Sequence, residues 1–242
     1  MEEAGRIDRG LEFLPSDEEL LERRTHGQPL TRPELSVLIS YSKAVLKEQL
    51  IDSDLGKDPY LANAVNTAFP AQLVEQYPEE ILSHRLHREI MATQVANDIV
   101  NRMGLNFVLR QAKATGASAA DVARAYTTVM EIFRLRELWD WIELLDYKVS
   151  SAVQMDMMLK LLGLVKRATR WLLRNRRHEL APTPLVEEFG AGLETLRETF
   201  PEMLRGSSAE VYESAYEHYL AEGVGEALAA RIAGAQLAYT GL

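Results

Sequence analysis

Apolar side chains in this chain recur three and four residues apart almost from end to end, and the stretches they form are bounded by helix-capping residues. No run alternates apolar and polar residues between turn signals as a half-buried strand would. Ser16 followed by Glu19 forms a capping-box pattern that predicts a helix over 16–24, and Thr31 with Glu34 repeats it. Pro33 falls in the first turn of that second helix, where its missing N–H costs nothing. Leu35, Leu38, Ile39, Val45, Leu46 and Leu50 then make one amphipathic stripe. Asp58-Pro59 opens the next helix, which Pro70 ends or kinks after Phe69. Pro78 predicts the start of a single long helix over 78–103, stopped by Gly104. Further helices are predicted over 105–115, 119–133 (capped by Ser118 and Asp121) and 135–146. The longest covers 151–177, with Val153, Met157, Leu161, Leu164, Ala168, Trp171 and Leu172 at helical spacing. After Pro182 and Pro184 come weaker helices over 185–199, 209–221 and 226–239. The expected fold is all-α, a multi-helix bundle of about a dozen helices with no significant sheet. The break near 181–184 places a main bundle over 1–180 and a smaller helical appendage packed on it over 181–242.

Composition narrows the function. The 242 residues, 47% apolar and 26% charged, suffice for a real core. A net charge of −9 argues against a general nucleic-acid binder, since phosphates would be repelled. The absence of cysteine removes disulfides, thiolate metal sites and thiol nucleophiles together, and fits a reducing cytoplasm. The charged opening MEEAGRIDRG has no signal-peptide core, and no stretch reaches the roughly 18 uncharged apolar residues of a membrane helix. A cytoplasmic protein is expected, with neither membrane nor nucleic acid as partner.

Chemistry-bearing motifs are sparse. Gly223-Val224-Gly225 has two glycines of a dinucleotide fingerprint but follows a helix rather than a strand, so it reads as a turn between helices. His84 and His87 are spaced to share a metal on one helix, but His26, His178 and His218 are scattered, so no metal site is assigned. Glu18-Glu19, Glu79-Glu80 and Glu187-Glu188 sit in first turns, where carboxylates favour the helix dipole without any acid–base role. Tyr212, Tyr216 and Tyr219 read as a packing stripe. Trp139 and Trp141 cannot share a helix face, so one is free to meet a partner.

Two features are candidate structural or interdomain contacts. Thr93, Asn97 and Asn101 form a polar row that continues the line of Leu86 and Ile90. If it faces inward, its amides must find partners, because an unpaired buried amide is costly. The basic cluster over 166–178 includes Lys166, Arg167, Arg170, Arg174, Arg176, Arg177 and His178. It either complements a helix C-terminus or docks on an acidic face of another domain or subunit.

Six phrases, taken in order, carry a family resemblance: EFLPSDEELLERR (12–24), LTRPELSVLISYSK (30–43), DPYLANAVNTAFP (58–70), HRLHREIMATQVANDIVNRMG (84–104), TGASAADVARAY (115–126) and ATRWLLRN (168–175). Together they resemble the C-terminal region of the large, multidomain NAD-specific glutamate dehydrogenases of bacteria, more loosely so down to the final ARIAGAQLAYTGL. The resemblance implies a parent enzyme that converts L-glutamate, water and NAD to 2-oxoglutarate, ammonia and NADH. It implies that the catalytic lysine and the NAD-binding Rossmann domain precede this region. Nothing here matches those motifs, so no catalytic, cofactor-binding or metal residue carries over, and the segment alone is expected to be inactive and to bind no NAD. Its expected partner is the upstream catalytic domain of the same polypeptide, in a full-length homo-oligomer. An opening that reads like a linker is expected of a segment. Bracing, joining subunits and transmitting an effector signal are all compatible roles. The alternative is a free-standing interaction module using the 166–178 surface.

Overall fold

In the computed structural model, which describes residues 2–3 and 5–238, the described residues hold thirteen α-helices and no strand. They are α1 (Asp17–Thr25), α2 (Arg32–Ile51), α3 (Pro59–Ala62), α4 (Ala71–Gln76), α5 (Pro78–Leu82), α6 (His87–Met103), α7 (Phe107–Thr115), α8 (Ala119–Ile132), α9 (Leu135–Glu143), α10 (Ser151–Asn175), α11 (Pro182–Met203), α12 (Ser207–Ala221) and α13 (Glu226–Ala238). Short 3₁₀ turns at Leu55–Lys57 and Asn63–Ala68 flank α3. The expected last residue of α13, Tyr239, lies outside the described residues.

All three capping boxes form. Ser16, Thr31 and Ser118 each accept from the backbone three residues on, while Glu19, Glu34 and Asp121 reach back to the cap N–H. These reciprocal bonds satisfy donors that a helix start would otherwise leave open.

The single helix expected over 78–103 is a correction. The structure ends α5 at Leu82 and starts α6 at His87. Between them the His84 ring Nδ1 accepts the Leu86 N–H at 3.1 Å, a side-chain substitute for helical bonding that turns the backbone. The helix foreseen after Asp58-Pro59 is likewise only one turn of α before it tightens to 3₁₀, and α4 was not foreseen. The helix predicted from 185 starts at Pro182, whose absent N–H suits a first turn.

Two compact units result, each with its own core. One comprises Met1–Asp54 and Ala64–Phe107; the other Leu55–Asn63 and Val108–Leu242. In the first, α2 lies along α6. Leu46 and Leu50 of α2, and Met91, Val95, Ile99 and Met103 of α6, are buried there. Arg23 of α1 forks both carboxylate oxygens of Glu34 at 2.9 and 3.0 Å, tying α1 to the start of α2.

In the second unit α10 is the axis. It packs against α8, α9 and α13, with Met157, Leu161, Leu164, Val165, Ala168 and Leu172 buried, while α11 lies on α8 and α12 on α13. Residues 181–238 therefore belong to this unit's packing. Arg231 of α13 donates to the Phe133 carbonyl at 2.9 Å, closing the end of α8.

Candidate functional site

Helix α10 buries one stripe and shows another. Met155, Leu159, Lys166 and Arg174 are exposed, and Leu162, Gly163 and Arg170 are half-buried. Steps of three and four residues keep these positions on one outer face, and the exposed Arg177 follows just past the helix end. That face is apolar in its first half and cationic in its second.

The cationic half is only partly committed to the fold. Gln111 of α7, 1% exposed, donates through Nε2 to the Lys166 carbonyl at 3.0 Å and accepts from Arg170 Nε at 3.1 Å. A neutral amide thus pins α7 beside α10 and holds one guanidinium in place. Arg177 donates to the Gly116 carbonyl at 3.4 Å. Arg176 pairs with Glu188 and stands over the Phe189 ring at 5.3 Å, and Phe189 meets Trp171 edge-on at 6.2 Å. The Arg167 guanidinium lies over Gly163, where an added Cβ would meet it at 3.2 Å. Beside α10, α7 exposes Arg110 and Lys113.

The structure does not bring Thr93, Asn97 and Asn101 together as a buried network. Met91, Ala92, Val95 and Ala96 face inward, whereas Thr93 and Asn97 are half-buried on the flank and Asn101 is exposed. The Thr93 hydroxyl donates to the Glu89 carbonyl of its own helix at 2.7 Å. No amide there has to be satisfied inside the protein.

His84 stands in the turn and His87 on α6, so they do not share a helix face. Among the described residues no group of three or more His, Asp and Glu is placed to hold a metal ion. Gly223, at φ +87°, is a left-handed helix terminator: Val224 N–H bonds the Tyr219 carbonyl at 2.9 Å and its side chain is buried. The glycines close α12 and lead into α13. Tyr212 and Tyr216 stack at 6.1 Å, and Tyr219, fully buried, donates its hydroxyl to Asp156. Burial first, then that carboxylate, pushes the Tyr219 phenol well above its usual range. The tyrosine row is packing, as its spacing suggests. Trp139 is buried and Trp141 half-buried.

Two features escaped the sequence reading. Gln111 carries no signal of its own among helix formers. The exposed Met155 and Leu159 did carry one, because they lie off the stripe of Val153, Met157 and Leu161. At the corner before α10, Leu144 and Tyr147 are exposed as well, and Tyr147 holds a left-handed φ of 64°. No helix among the described residues is long and apolar enough to cross a membrane.

Residues 27–242 match the family described as glutamate dehydrogenase, C-terminal. Over 242 residues the chain is 49% identical to the NAD-specific glutamate dehydrogenase of Halomonas elongata, and over 240 residues 48% identical to that of Pseudomonas aeruginosa. The Mycobacterium tuberculosis enzyme of the same name is 32% identical over 226 residues. These alignments cover 100%, 99% and 93% of this chain but only 15%, 15% and 14% of the relatives.

Proposed function

Because the chain belongs to the glutamate dehydrogenase C-terminal family, we propose that it is the non-catalytic, C-terminal helical module of an NAD-specific glutamate dehydrogenase, acting by contact with the rest of that polypeptide. The whole enzyme would oxidise L-glutamate to 2-oxoglutarate and ammonia in the cytoplasm, reducing NAD in a domain other than this one. The carrying observation is the near-complete alignment of this chain with about one seventh of each relative.

The local chemistry supports a scaffolding role. Glu19, Glu34 and Asp121 are held in capping boxes, and Asp156 lies between the Tyr219 hydroxyl and Lys160. Carboxylates bound in this way serve the fold and are poorly placed to exchange protons with a substrate. The flank of Thr93, Asn97 and Asn101 and the cations Arg167, Arg170, Arg174 and Arg177 are the polar surfaces offered to the catalytic part or to another subunit.

The test is a steady-state assay. The isolated chain, given glutamate and NAD, yields no NADH, while the full-length enzyme does and loses stability or subunit assembly when this region is deleted. Turnover by the isolated chain would overturn the reading.

A further inference from the structure

The outer face of α10 poses a physical problem that the fold does not answer. Lys166, Arg170 and Arg174 follow one another at four-residue spacing, an arrangement in which like charges repel. No Asp or Glu stands three or four residues to either side of any of them. The helix dipole favours cations only in the last turn, which reaches Arg174 but neither Lys166 nor Arg170. Arg110 and Lys113 on the adjoining α7 add positive charge to a chain whose net charge is −9. On the same helix, Met155 is 57% and Leu159 58% exposed, at positions that ordinarily carry polar residues.

The two halves together select the kind of partner. A phosphate or a small anion would use the cations and leave Met155 and Leu159 in water. A nucleic acid would do the same, and would be repelled by the rest of the chain. From Met155 to Arg174 the face runs on the order of 30 Å along the axis, longer than a metabolite and suited to a protein surface. Complementarity then requires that surface to carry an apolar patch beside a carboxylate-rich one.

We infer that this face, apolar at Met155 and Leu159 and cationic at Lys166, Arg170, Arg174 and Arg177, is where the module docks on the remainder of the dehydrogenase polypeptide. The inference rests on the function proposed above, which supplies the partner. The face adds to it the location and chemistry of the contact. Arg170, fixed by Gln111, is pre-positioned, so less side-chain freedom is lost when it meets a carboxylate.

The experiment titrates the chain against the separately prepared remainder of the parent dehydrogenase, by calorimetry at several salt concentrations. Leu159→Glu and the double variant Lys166→Glu/Arg174→Glu each weaken binding on the order of tenfold or more, and the double variant also flattens the salt dependence. Val211→Glu, an exposed apolar position on α12, serves as control and binds as wild type. Circular dichroism and melting temperature verify that the remainder and all three variants fold. If wild type binds and the α10 variants bind equally well, or weaken no more than Val211→Glu, the α10 face is wrong and the module reading stands. If the wild-type chain does not bind the remainder at all, the module reading fails and takes the docking face with it.

Discussion

The Tyr219 hydroxyl, at the end of α12, donates to the Asp156 carboxylate on α10, with the Lys160 ammonium 4.6 Å above the same ring. One side chain thereby satisfies its only polar atom, packs its ring in the core and anchors two helices far apart in sequence. Tyr219→Phe keeps the ring and removes the bond, so urea unfolding should show a loss on the order of 1–3 kcal/mol. The pH dependence has a definite sign. The folded phenol holds its proton more tightly than the unfolded one, so its contribution is complete below about pH 10 and falls as the pH rises beyond it. Wild type should lose stability steeply above pH ~10, and the Phe variant less steeply.

Leu161 and Leu159 sit two residues apart on α10 with opposite surroundings: the first is fully buried and the second 58% exposed. Leu161→Ala opens a cavity among well-packed neighbours and should cost roughly 2–5 kcal/mol. Leu159→Ala should change stability by no more than about 0.5 kcal/mol. A large loss at Leu159 in the isolated chain would mean that its face is covered by the chain itself.

What the sequence disclosed follows from how far each interaction reaches. The boxes at Ser16, Thr31 and Ser118 were legible because both partners lie within four residues. The stripe of Met157, Leu161, Leu164 and Leu172 was legible because burial repeats with the helix period. The break between α5 and α6 was hidden, since it turns on one bond from Leu86 N–H to a histidine that a helix would also accept. The basic cluster was visible as charge, but its fixed member was not, because Gln111 is 59 residues from Arg170. Which way Thr93, Asn97 and Asn101 face was not legible, because it depends on which side of α6 is buried, a fact of tertiary packing.

Glu34 tests the acid side. Its carboxylate accepts the Thr31 N–H at 2.6 Å and both bonds from Arg23. The Thr31 N–H first, and Arg23 after it, hold its pKa below the usual carboxylate value despite partial burial. The ionised form is the one the fold prefers, so this contribution is present above the unfolded pKa, near 4.5, and fades as the pH falls through the lower folded value. Glu34→Gln should lower the melting temperature at pH 7 and shrink the gap to wild type under strongly acidic conditions. A gap unchanged between the two pH values would contradict the assignment.

Gln111 is the test of how α7 is held. Replacing it with Leu removes the donor to Lys166 and the acceptor for Arg170 together. A partly buried guanidinium is then left short of a partner, which outweighs any gain from an apolar side chain, and a loss on the order of 1–3 kcal/mol is expected. Arg170→Leu, added to Gln111→Leu, should recover part of it, because two apolar groups then meet where two polar ones did. A double-mutant cycle measures that recovery, and strict additivity would show that the pair is not coupled.

Tyr147 carries the last prediction because its cost and its use point in opposite directions. It adopts φ 64° with its ring fully in solvent, where a tyrosine gains nothing from the fold and strains the backbone. Glycine fits that conformation freely, but it also leaves the unfolded chain with more freedom. In the isolated chain Tyr147→Gly should therefore be neutral or stabilising by up to about 1 kcal/mol. This exposed aromatic, beside exposed Leu144, leads into the α10 face that we propose docks on the rest of the full-length enzyme. There the same substitution should destabilise, because a buried ring would be lost. Denaturation of both forms gives the sign in each, and stabilisation in the full-length enzyme as well would show that the corner stays in water.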